Sequence, residues 1–149
     1  MKAWFGLALL AVAGAALAAA NGPSLPELAQ GGQTQEALAL IDQGTDVNAP
    51  ADDGSTALLW AVHRDDRVLV ERLLKAHADA KAANRYGATP MSEAALYGDP
   101  AVIELLLKAG ADPESADSTG QTALMVVAHT NNVQAAELLL RHGCASQRE

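Results

Sequence analysis

Apolar residues recur along this chain in two alternating kinds of stripe, and the alternation repeats every 33 residues. Leu69-Val70 and Leu73-Leu74 form one stripe, matched 33 residues on by Val102-Ile103 and Leu106-Leu107, and again by Ala135-Ala136 and Leu139-Leu140. Such spacings keep one face of a helix continuously apolar, so each stripe predicts an amphipathic helix. Ahead of each lies a shorter stripe of smaller residues: Leu58 with Ala61-Val62, Met91 with Ala94-Ala95, and Leu124 with Val127-Ala128. These predict an inward-facing first helix in each unit, thin enough for its neighbours to pack closely.

The residues between the stripes supply the starts and stops. Thr56, Thr89 and Thr122 stand where a hydroxyl accepts an orphan backbone N–H, and Pro90 suits a first helical turn, where no donor is needed. Gly32, Asp65, Gly98 and Asn131 share one column and are residue types that tolerate positive φ. Asp66, Asp99 and Asn132 follow as N-caps, with Pro100 again one step inside the helix. A tight two-residue turn between antiparallel helices accounts for both columns. The second helix is expected to stop at Gly44, His77, Gly110 and Gly143, and Ala78-Asp79 and Ala111-Asp112 then open a polar loop.

The register reaches backward, since Leu40-Ile41 precede Leu73-Leu74 by 33 residues. Four units are therefore expected, an abbreviated one over 24–50 and then 51–83, 84–116 and 117–149. A fixed period of this length means stacked supersecondary units, none able to bury its apolar face alone. The predicted fold is an all-α solenoid of helix–turn–helix repeats.

The first twenty residues do not belong to that pattern. Met1-Lys2 is a short positive region, Ala3 to Leu17 an apolar run, and Ala18-Ala19-Ala20 a small-residue cleavage site before Asn21-Gly22-Pro23. This reads as a signal peptide over 1–20, with the repeat domain over 21–149 expected in the periplasm; an uncleaved membrane anchor is the alternative. Cys144 is the one cysteine, so no intrachain disulfide forms. It sits in the column of Ala78 and Ala111, which suits a small packed residue.

The units resemble the ankyrin repeat. Gly87-Ala88-Thr89-Pro90-Met91-Ser92-Glu93-Ala94-Ala95 is similar to that family's Gly-x-Thr-Pro-Leu-His-x-Ala-Ala pattern, and Leu105-Leu106-Leu107-Lys108-Ala109-Gly110-Ala111-Asp112 matches its Leu-Leu-Leu-x-x-Gly-Ala-Asp pattern. The resemblance covers 24–149. Departures are Leu59, Ser92 and Met125 at the family's His, Ala57 and Ala123 at its Pro, and Gly143-Cys144-Ala145 in the last unit. The resemblance implies an ankyrin-repeat solenoid that grips a protein partner on a concave surface made of loop tips and first-helix faces. Carried over, that surface comprises Asp52, Asp53, Ser55, His63 and Arg64, then Arg85, Tyr86, Leu96 and Tyr97, then Ser118, Thr119, Gln121, His129 and Thr130. Arg85, Tyr86 and Tyr97 are residue types enriched in binding hot spots. Trp60, in the column of Glu93 and Val126, is either an interface anchor or packing over the abbreviated first unit.

Composition narrows the function. Half the residues are apolar yet only five are aromatic, so the interfaces must be built from Ala, Leu and Val. The net charge is −8, and because the first twenty residues hold one Lys and no acid, the remainder carries −9. A sequence-independent nucleic-acid binder needs a basic face, so an acidic chain points to a basic protein partner and away from nucleic acid. No His-x-x-His, Cys-x-x-Cys, phosphate loop or Gly-x-Ser-x-Gly occurs. His63 and His129 share a column two units apart, which packed helices place roughly 20 Å from each other, too far for one metal ion. The expectation is a non-enzymatic interaction module with no cofactor and no metal, monomeric, with weak self-association through a poorly capped C-terminal face. Its role is a scaffold or accessory factor, or else a stoichiometric inhibitor such as an immunity protein.

Overall fold

The computed structural model describes residues 22–146, within which eight helices form four antiparallel pairs. The pairs are α1 (Leu25–Gly31) with α2 (Thr34–Asp42), α3 (Ala57–His63) with α4 (Arg67–Lys75), α5 (Pro90–Tyr97) with α6 (Pro100–Lys108), and α7 (Ala123–His129) with α8 (Val133–Ser146). The signal-peptide segment lies outside the described residues. Every substantial helix contact is within a pair or between equivalent helices of adjacent pairs, so α1, α3, α5 and α7 make one layer and α2, α4, α6 and α8 the other.

Local chemistry places the ends of the helices as the sequence requires. The hydroxyls of Thr56, Thr89 and Thr122 accept from the backbone N–H of Leu59, Ser92 and Met125 at 3.3, 3.1 and 3.4 Å. Ser92, which stands where the ankyrin pattern has His, completes a reciprocal cap by accepting from the Thr89 N–H at 2.9 Å. Asp66, Asp99 and Asn132 cap the second helices of their units. Asp65 and Asn131 take φ of 54° and 56° and His77 takes 65°, the three non-glycine residues with positive φ among those described.

The core is a row of small interfaces. Leu73, Leu106 and Leu139 occupy one column and are all buried, as are Ala61, Val62, Ala94, Ala95 and Val127. One expectation of burial fails at the C-terminal end. Ala128 is exposed although Val62 and Ala95 of its column are buried; Met125, in the column of Leu59, is likewise 52% exposed against 5% for Leu59. No further described unit packs on α7 to cover them. Gly143 does not stop the last helix, because α8 runs on to Ser146. In the units before it the stop residue is followed by an Asp whose carboxylate folds the connecting turn, as Asp79 accepts from Lys81 N–H and Asp112 from Glu114 N–H at 2.9 Å. The last unit has Ala145 in place of that Asp.

One column carries a like-charge contact. The Asp65 carboxyl is raised above the ordinary aspartate range, first by desolvation and then by the Asp99 carboxylate hydrogen-bonded beside it, against the Arg67 guanidinium. Arg67 itself binds Asp99 at 2.6 Å. A raised acid holds its proton more tightly folded than unfolded, so stability falls as pH rises from the ordinary aspartate range through the folded value. Asp65→Asn keeps a residue that tolerates positive φ and removes the repulsion. It is expected to stabilise by about 0.5 kcal/mol at pH 7, Asp65 being exposed to solvent and Asp99 already paired with Arg67, with the gain vanishing in acid where Asp65 is protonated. Thermal melts of the two proteins at pH 7 and pH 3 check this.

Candidate interaction surface

The loops ahead of the first helices are built alike. In each, a glycine with positive φ returns its N–H to a residue three back: Gly54 to Ala51, Gly87 to Asn84, Gly120 to Asp117. Asn84 and Asp117 also accept two further backbone N–H groups through their side chains. The Thr119 hydroxyl and then the Gln121 N–H hold the Asp117 carboxyl below the ordinary range. Adjacent loops are joined by Arg85 N–H donating to the Asp53 carbonyl at 2.9 Å, and by Asn84 Nδ2 donating to the Ser55 hydroxyl at 3.1 Å.

These loops present Asp52, Arg85, Tyr86, Ser118, Thr119 and Gln121 to solvent, with Asp53 half-buried behind them. Ser55 is 1% exposed, its hydroxyl donating to Asp53 at 2.8 Å and accepting from Asn84, so it ties the loop together and also lines the recess between this loop and the next. The Ser55 N–H and then its hydroxyl hold the Asp53 carboxyl below its usual value.

On the helices, Trp60 is half-buried, while His63, Arg64, Leu96, Tyr97, His129 and Thr130 are exposed. Several of these are already engaged. Arg64 donates to the Gln30 carbonyl at 3.2 Å, closing the end of α1; His129 Nδ1 meets the Met125 carbonyl at 2.7 Å; and Thr130 donates to the Val127 carbonyl at 3.0 Å. His63 makes its contacts with side chains of the following unit. Its Nδ1 lies 3.0 Å from Glu93 Oε2 and 3.2 Å from the Tyr97 hydroxyl. The rings of Trp60 and Tyr97 both stand edge-on to it, with centroids 5.5 Å away.

Together with His63, Trp60 lines a cavity of about 210 Å³ shared with Asn84, Tyr86 and Glu93, so part of it faces the following unit. Glu93 was missed as a site residue. Its signal was in the register: an acid in the column of Glu27, Trp60 and Val126, three residues short of one full repeat after His63. A larger cavity of about 480 Å³ lies at the other end, between α1, α2 and the Thr45–Pro50 loop, and contains none of the expected contact residues. Among the described residues no group of three or more His, Cys, Asp or Glu is placed to hold a metal, and no helix is long and apolar enough to cross a membrane.

The model of the family described as ankyrin repeats, in three copies, matches residues 25–117 and 93–149. The chain belongs to the ankyrin-repeat family. Ankyrin repeats are protein–protein interaction modules, and the family fold is a non-catalytic one. A search of curated proteins returned no match. For this ankyrin-repeat protein the structure brings together Asp53, Trp60, His63, Tyr86 and Tyr97 at the junction of the second and third units. Ser118, Thr119, Gln121, His129 and Thr130 belong to the fourth unit and do not line that cavity.

Proposed function

We propose that this protein is an exported adaptor of the cell envelope, periplasmic once its signal peptide is removed, that holds another protein against its loop tips and first helices. The observation that carries this reading is the placement of the aromatics. Beyond residue 20 the chain has one Trp and two Tyr, and all three meet at one site. Tyr86 is 70% exposed and Tyr97 52%, a cost in exposed apolar area that packing within the chain does not recover. Exposed Tyr beside a half-buried Trp and an Arg is the composition of a binding hot spot. The −9 charge beyond residue 20 favours a basic partner and speeds encounter with it.

An inhibitor of a toxin delivered to the same compartment would use the same surface, and it is the alternative to a scaffold. Loss of the gene separates them: a resident enzyme losing activity supports the scaffold, poisoning by sibling cells the inhibitor. The surface itself is tested by quantitative capture from a periplasmic extract, wild type against Arg85→Ala/Tyr86→Ala/Tyr97→Ala. Recovery of the bound partner is expected to fall at least about tenfold, the loss of one hot-spot residue or more. Equal recovery of every captured protein would overturn the assignment.

A further inference from the structure

Resting on that reading, we propose that the recess between Trp60, Tyr86 and Glu93 receives one basic side chain, arginine or lysine, from the partner protein. At about 210 Å³ the recess is smaller than the roughly 300–1,000 Å³ of pockets that enclose whole small molecules. It suits a single side chain. Two of its walls are aromatic, and the face of an indole or phenol ring attracts a cation that has left bulk water.

Its acids complete the match. Asp53 and Glu93 both line the recess, and no Lys or Arg does. Asp53 is partly answered by Ser55 and by the nearby Arg85 charge. Glu93 is the stronger attractor, because its side chain is only 17% exposed and its charge is poorly screened. The group shown on its Oε2 is His63, which, unlike Lys or Arg, is not a permanent cation. The Tyr97 hydroxyl meets the same His63 Nδ1 at 3.2 Å, so His63, Glu93 and Tyr97 form one cluster. A guanidinium lying on Trp60 would reach the Glu93 carboxylate in the planar, forked geometry arginine makes with carboxylates. An ammonium would meet the same groups as a point charge.

The test uses the full chain carrying Trp4→Phe, in which Trp60 is the only indole. The probes are Gly-Gly-X-Gly-Gly peptides with blocked ends, where X is arginine, lysine, citrulline or norleucine. A saturable change in Trp60 emission is expected with one or both basic peptides and with neither neutral one. Glu93→Gln is expected to weaken that binding about tenfold, as is the exposed-ring variant Tyr86→Ala, with helicity and melting temperature unchanged. Citrulline or norleucine binding as tightly as the basic peptides would overturn the proposal. So would an unaltered affinity in Glu93→Gln, or no change in emission with any peptide. If the peptides fail while the triple-alanine variant still loses its partner, the binding surface stands and the basic-side-chain recess falls. If both fail, the surface falls too.

Discussion

Leu106→Ala is expected to cost about 3 kcal/mol in urea denaturation, within the usual range for a buried leucine truncated to alanine. Leu106 is 0% exposed in α6, an inner helix that packs on α4, α5 and α8. The loss is a large part of a total stability that for domains is only about 5–15 kcal/mol. In a stack whose units contact only their neighbours, damage at an inner unit weakens two interfaces at once. The control is Leu140→Ala: Leu140 is 49% exposed on the last helix, and its truncation is expected to cost less than about 1 kcal/mol. Similar losses for the two would mean that the inner interfaces are not the source of stability.

Gly87→Ala is expected to be the most damaging alanine substitution among the loop glycines. Gly87 has φ of +76°, where an alanine is strained by about 1–2 kcal/mol. Its new Cβ would also meet Ser118 of the next loop, at 3.0 Å from both N and Cβ and 3.2 Å from Cα. These are mostly backbone atoms and cannot swing aside, so the two loops must part. Gly120 has φ of +82° with nothing within 4 Å, and Gly54 lies between them, its nearest neighbour being Arg85 N at 3.3 Å. The expected order of destabilisation is therefore Gly87, Gly54, Gly120, with Gly87→Ala about 1 kcal/mol beyond the backbone strain that Gly120→Ala measures by itself. Because Gly87 follows Tyr86, the variant is also expected to weaken partner capture. Equal melting temperatures for Gly87→Ala and Gly120→Ala would show that the loops have slack.

The two columns of the tight turn illustrate how much a repeated sequence carries. Asp65, Gly98 and Asn131 differ in chemistry but share tolerance of positive φ, and that common property identifies the turn even where no glycine is present. The aromatic site was legible only in part. Tyr86, Tyr97, Trp60 and His63 stand out one at a time, by residue type or by column, whereas Glu93 enters the sequence reading only as a member of Trp60's column. Its importance comes from the offset between neighbouring units: His63 meets residues 30 and 34 positions later, not 33, because a first helix presents its side chains to the turns above and below the matching position. Ser55 sits in a loop column, and its hydroxyl is drawn inward by Asp53 and Asn84 while the residue lines the same recess.

By itself, the sequence determined the repeat length, the pairing of helices, their caps and the absence of a central core, because each of these follows from local spacing and backbone preference. Only the tertiary structure decided which exposed candidates act together. That choice depends on how far one unit is shifted and rotated against the next, a property of packed Ala and Leu interfaces that no single unit contains. It also decided the fate of the last unit. Ala128 and Met125 share their columns with buried residues of the interior, but with no further unit described beyond them they are exposed.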